Sequence, residues 1–167
     1  MHEAWVKPDR QRLGTLCHVR CKDRVLMLKR RKPPFPGYWT APGGKLEPDE
    51  DPRQAVVREI GEETGLCLRS ATLQLVVSEL SSDLSYNWLL FIFRSTVAPG
   101  QLTESREGPV RWVPLTELSD LNMAAIDLQL LPYVYDDRRR YLIHIIFDHP
   151  PDGRIVRVDA FPNMKTC

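Results

Sequence analysis

A chain of 167 residues, 43% hydrophobic and 27% charged, has the length of one globular domain over residues 1–167 and enough apolar content to bury a core. Lysine and arginine total 23 against 22 aspartate and glutamate, a formal net charge of +1, which excludes broad electrostatic capture of nucleic acid or an anionic membrane as the expectation. Cys17, Cys21, Cys67 and Cys167 fit neither a zinc signature nor a Cys-x-x-Cys redox motif, so reduced thiols in a cytoplasmic setting are expected.

In chain order, Met1 to Arg12 is polar and charged and has no apolar stretch of the signal-peptide kind. Leu13 to Arg20 and Val25 to Lys29 are predicted strands joined by a turn around Cys21 to Arg24. Lys32 to Tyr38 carries Pro33, Pro34, Pro36 and Gly37 and must be a loop. Thr40 to Leu46 holds the pair Gly43-Gly44, which permits close backbone approach to a ligand. A helix follows, with Asp51 as N-cap, Pro52 at its first position, Gln54 completing a capping box and Gly65 closing it. Leu66 to Leu80 is rich in strand formers, and Tyr86 to Val97 is predicted as a buried strand. Its run Trp88 to Phe93, the longest apolar one, is far short of the roughly 20 residues of a membrane helix. Pro109 to Val113 is a short predicted strand, and Ala124 to Tyr135 a helix interrupted or ended near Pro132. Tyr141 to Phe147 and Arg154 to Phe161 form a final strand pair across a Pro-Asp-Gly turn. Strands mixed with two helices imply a layered α/β or α+β domain.

The residues that carry chemistry sit on the first helix. Glu59, Glu62 and Glu63 are spaced i, i+3, i+4 and share one face, while Val56, Val57 and Ile60 form the apolar one. Clustered like charges repel by a few tenths of a kcal/mol per pair. A hard divalent cation with oxygen ligands would compensate them; a merely solvated acidic face is the plain alternative.

Gly44 to Leu66, GKLEPDEDPRQAVVREIGEETGL, resembles the Nudix box, with Gly44, Glu50, Arg58, Glu59, Ile60, Glu62, Glu63, Gly65 and Leu66 filling its constrained positions. The resemblance implies a Nudix-type α/β/α sandwich with a mixed sheet, and a hydrolase that uses Mg2+, with Mn2+ as a substitute. It implies that Glu59, Glu62 and Glu63, with the Gly43 carbonyl, bind the metal. Arg58 would orient carboxylates by pairing with Glu50, and Glu59 is the first choice of general base. Glu107-Gly108 followed by Trp112 resembles a segment of the 8-oxo-dGTP diphosphatase (MutT-like) branch in which a glutamate reaches back to the metal. Glu104 competes with Glu107 for that role, and an ordinary loop glutamate is the plain alternative. Asp127, five residues before Pro132, stands where that branch places its base-reading residue, whereas Ala124 replaces a frequent stacking aromatic and Thr40 a frequent asparagine.

Of the basic run Lys29 to Lys32, Arg30 or Arg31 is a candidate for the terminal phosphate, as is Lys45; surface charge is the alternative. Trp39 and Tyr38 line the base pocket or pack under the loop, and His144 is expected to be a core histidine. The expected function is pyrophosphohydrolysis of a nucleoside triphosphate, with 8-oxo-dGTP as the chosen substrate. ADP-ribose, dinucleoside polyphosphates or RNA 5′ ends are the alternatives, and a non-catalytic ligand-binding module is a third reading. The expected partner is a small nucleotide, with neither a stable nucleic-acid partner nor a membrane.

Overall fold

The computed structural model describes residues 11–33, 35–82, 86–149 and 152–162. Its elements in chain order are β1 (Arg12–Cys21), β2 (Arg24–Lys29), β3 (Trp39–Thr40), β4 (Gly43–Lys45), α1 (Pro52–Thr64), β5 (Thr72–Ser81), β6 (Asn87–Thr96), β7 (Val110–Pro114), a 3-10 turn (Leu115–Asp120), α2 (Ala125–Val134), β8 (Arg139–His149) and β9 (Asp152–Pro162). The sheet runs β3-β2-β1-β6-β5-β8-β9, with β4 also on β1 and β7 also on β2. It is mixed: β1 pairs parallel with β6 and β5 parallel with β8, while the remaining pairings are antiparallel.

Strand alternation loads both faces with apolar side chains. Cys17 and Val19 of β1, Leu26 of β2 and Phe93 of β6 face Val56 and Ile60 of α1. Leu75 and Val77 of β5, Ile92 of β6 and Ile143 and Ile145 of β8 face Ile126, Leu130 and Val134 of α2. A third cluster, Val25, Met27, Val113, Leu118 and Met123, closes the end beside the 3-10 turn. The result is the expected α/β/α sandwich, one helix on each face of a mixed sheet. Among the described residues no helix is long and apolar enough to cross a membrane.

Three local details were not fully anticipated. β3 and β4 follow the Lys32 to Tyr38 loop in a stretch given no strand; at two and three residues they are too short for alternation to reveal, and they exist because β1 and β2 offer them free edges. α2, expected over Ala124 to Tyr135 and interrupted or ended near Pro132, spans Ala125–Val134 without interruption and ends two residues past Pro132. Pro132 is exposed and lies in the last turn, and burial of Ile126, Leu130 and Val134 at i, i+4, i+8 carries that turn onto the sheet. In the expected final turn, Pro151 lies outside the described residues, while Asp152 and Gly153 already pair with His149 and Phe147.

Candidate active site

α1 starts where its sequence provides for it. The Asp51 carboxylate accepts from the backbone N–H of Arg53 at 2.7 Å and of Gln54 at 2.9 Å, and the Gln54 side chain accepts from Asp51 N–H at 2.8 Å. It ends at Gly65, whose φ of 76° is left-handed and whose N–H bonds the Gly61 carbonyl at 3.0 Å. With both ends fixed and its apolar side on the core, the helix presents its glutamates toward β4.

Arg58 is the hub of that face. Its guanidinium donates to both oxygens of Glu50 at 2.6 and 3.0 Å, to Glu59 at 2.9 Å, to Glu62 at 3.2 Å and to the Lys45 carbonyl at 3.0 Å. This pairing holds the Glu50 carboxyl below its usual range. Glu63 points the other way: it is 5% exposed and accepts from the Gly43 N–H at 2.8 Å. The two glycines of β4 are required here. At Gly43, φ is 152° and a Cβ would strike the Thr15 carbonyl, while on Gly44 a Cβ would occupy the space of the Glu59 carboxylate.

Burial pushes the Glu63 carboxyl up to about 8; its bond from Gly43 opposes this, neighbouring Glu59 and Glu107 add to it, and Arg30 opposes it. Burial raises Glu59 as well, against the pull of Arg58. Among the described residues no three potential ligands yet converge as a closed metal site. The donor set nevertheless fits a hard divalent cation: it is all oxygen, mutually repelling, and lies against a glycine strand with no Cβ in the way of Glu59.

A second acidic group lies on the α2 side of the sheet. Asp127 lines a small cavity of about 10 Å³, room for one water, with Leu16, His18, Thr40, Ala41 and Met123 among its walls. Burial pushes the Asp127 carboxyl up to about 7, with Arg30 opposing. Glu79 of β5 is 3% exposed, and its Oε2 has no hydrogen-bond partner among the described residues. Burial pushes Glu79 up to about 8; Asp127 adds to the rise, and a hydrogen bond with Tyr86 opposes it. Tyr86 in turn packs on Phe35, with ring centroids 6.0 Å apart, and on Phe147 at 5.0 Å.

The groups facing Glu79 are Asp127 from α2, Tyr86 beside β6, and Arg30 acting on both of these; its partners across the sheet, Trp88 and Ile145, carry no charge. A carboxyl whose folded pKa is raised keeps its proton longer in the folded chain, so stability falls as pH climbs from the unfolded value toward the folded one. Glu79→Gln should therefore raise the melting temperature, and by more at about pH 8.5 than at about pH 5.5. An equal shift at both values, measured by thermal unfolding, would contradict a raised Glu79.

The structure brings together Glu50, Arg58, Glu59, Glu62, Glu63, Gly43 and Gly44. Arg30 lies within electrostatic reach of both Glu63 and Asp127. Glu107 bonds Lys32 at 2.6 Å yet still acts on Glu63, and Glu104 faces Arg31 at 3.9 Å. The Lys45 side chain is exposed. Trp39 stacks under Arg111 at 4.3 Å, opposite in strand parity to Thr40 of the Asp127 cavity. His18 bonds Tyr135 at 2.9 Å, and burial lowers its pKa to about 4, with Arg94 adding to the fall. Glu79, Tyr86 and Phe35 were not anticipated. Glu79 alone carried a signal, because it shares strand parity with Leu75 and Val77.

The family model of the NUDIX domain matches residues 10–134. The Nudix hydrolase YvcI of Bacillus subtilis, itself uncharacterised, is 32% identical over 146 residues, covering 85% of this chain and 89% of that protein. An 8-oxo-dGTP diphosphatase of Proteus vulgaris is 34% identical over 101 residues, 59% of this chain and 88% of its own. An ADP-ribose pyrophosphatase of Methanocaldococcus jannaschii is 38% identical over 80 residues, 48% of this chain and 47% of its own. The crystal structure of a MutT protein from Bacillus halodurans superposes with a TM-score of 0.75 at 30% identity, covering 89% of this chain and 97% of that one.

Proposed function

Because this chain belongs to the Nudix hydrolase family, a class of phosphoanhydride hydrolases, we propose that it hydrolyses a nucleoside triphosphate to the monophosphate and pyrophosphate, with 8-oxo-dGTP as its substrate. The observation that carries this reading is Arg30. Its charge opposes the raised pKa of both Glu63 in the α1 cluster and Asp127 in the second acidic group, which supports a position between the two where a polyphosphate would lie. The likeness to the 8-oxo-dGTP diphosphatase of Proteus vulgaris supports the same choice, and that to an ADP-ribose pyrophosphatase defines the alternative.

Glu59, Glu62 and Glu63, with the Gly43 carbonyl, would hold Mg2+ or Mn2+. When bound, the ion neutralises charge on the phosphate oxygens. Glu59, half-buried with its pKa raised, takes the proton of the attacking water as the bridging P–O bond breaks. Glu107 is the alternative proton acceptor, once released from Lys32. Arg58 keeps Glu59 and Glu62 aligned and touches no substrate. Arg30 neutralises the polyphosphate, and Asp127 contacts the base.

A hydrolysis panel of 8-oxo-dGTP, dGTP, dATP, ADP-ribose and a dinucleoside polyphosphate, with products identified, tests this. 8-oxo-dGTP should give the highest kcat/KM, about 10–100-fold above dGTP. EDTA should abolish turnover, and Mg2+ should raise the melting temperature. Faster cleavage of ADP-ribose would transfer the chain to the alternative; full turnover in EDTA would remove the metal assignment.

A further inference from the structure

Asp127 is not the sole carboxylate at the base-handling end. Glu79 enters from a different element, on the face that β5 otherwise fills with Leu75 and Val77. A carboxylate in an apolar row costs stability unless its oxygens are satisfied, and Glu79 Oε2 is buried without a partner among the described residues. Its other tie is to Tyr86, whose ring packs against Phe35 of the Pro-rich loop. A cluster of aromatic rings around Tyr86, two neighbouring carboxylates and an acceptor without a partner among the described residues together describe a receptor for a planar ring with N–H donors on its edge.

The geometry points to Glu79 as a second base-contacting residue, which with Asp127 selects a guanine-type ring over adenine. This inference rests on the nucleotide reading above. Carboxylate oxygens accept hydrogen bonds, and they are repelled by ring nitrogens that bear lone pairs. Guanine presents N1–H and the 2-amino group side by side, two adjacent donors beside O6. Adenine presents one amino group flanked by acceptor nitrogens, so a second carboxylate meets a lone pair there. Burial raises both carboxyls, so near neutral pH the pair retains a proton, which an acceptor such as O6 can share. Glutamine at this position would bring an amide whose donor and acceptor match the adenine edge instead.

Equilibrium binding of GMP and AMP, read by calorimetry with no hydrolysis required, tests the assignment. The wild type should bind GMP about tenfold or more tightly than AMP. Glu79→Gln should collapse that ratio by about tenfold, by weakening GMP and strengthening AMP. Asp127→Asn, on a separate element, should act in the same direction, so the test survives if either variant folds poorly. Gain of AMP affinity is a result that structural damage does not produce. Equal or absent binding of the two nucleotides by the wild type overturns the inference, as does a ratio unchanged in both variants. Hydrolysis of triphosphates without base preference would sink this inference alone. Selective GMP binding without any phosphoanhydride hydrolysis would sink the hydrolase reading and leave this one standing.

Discussion

Glu63→Gln is expected to lower kcat by about a hundredfold or more while leaving the fold intact. The side chain is 5% exposed, and its oxygen accepts the Gly43 N–H at 2.8 Å. A glutamine oxygen can accept that same bond, so α1 stays docked on β4. What disappears is one negative charge in a place where burial and the neighbouring Glu59 already oppose it. Relieving that repulsion should hold the melting temperature level or raise it. Glu62→Gln, at a position whose side chain is 61% exposed, should cost comparable activity with no change in stability. Steady-state kinetics at saturating Mg2+ beside a thermal melt distinguish the cases. Near-normal kcat in either variant would show that the glutamate face is not the catalytic surface.

Arg58→Ala should damage both activity and stability. Its removal leaves Glu50, 11% exposed, and Glu59, 15% exposed, without their cation, and frees the Lys45 carbonyl. Because Arg58 is 25% exposed, solvent softens the loss, but the carboxylates left without a cation should still lower the denaturant midpoint. kcat should fall at least about tenfold, because Glu59 and Glu62 lose the partner that aligns them. Arg58→Lys should recover little, since one ammonium cannot supply a planar fork to three carboxylates and a carbonyl. Denaturant midpoints and kcat measured on both variants check this, and unchanged stability in Arg58→Ala would refute the hub role.

Both predictions concern residues that the sequence makes legible, and for a physical reason. α1 is specified locally: its cap, closing glycine and glutamate spacing all lie within one short segment. The strands of the sheet announce themselves by runs of β-branched and aromatic residues. β3 and β4 do not, because they have no alternation of their own and exist only by pairing with β1 and β2. The acidic group on the α2 side was legible in part. Asp127 was visible through its place ahead of Pro132, but the partnership of Glu79 with Asp127 joins a strand to a distant helix, and no local pattern encodes that. Phe35 and Tyr86 were hidden for the same reason, since a Pro-rich loop and a strand end meet only in the folded chain. The end of α2 was legible to within two residues of Pro132, and the burial of Val134 accounts for those two.

The parallel pairing of β1 with β6 has a consequence for synthesis. Leu16 lies opposite Ile92, so everything from β2 to β5, including α1, hangs in a loop that closes only when β6 arrives. Closing so long a loop is entropically slow and must precede the contacts that reward it. The apolar side of α1 needs Phe93 as well as Cys17 and Val19. A chain still emerging from the ribosome therefore carries the Arg58–glutamate face and its β4 partner before the Phe93 side of the α1 packing exists. The core beneath α1 is completed only when translation has passed Thr96, and the Glu79–Asp127 region waits longer still, for α2.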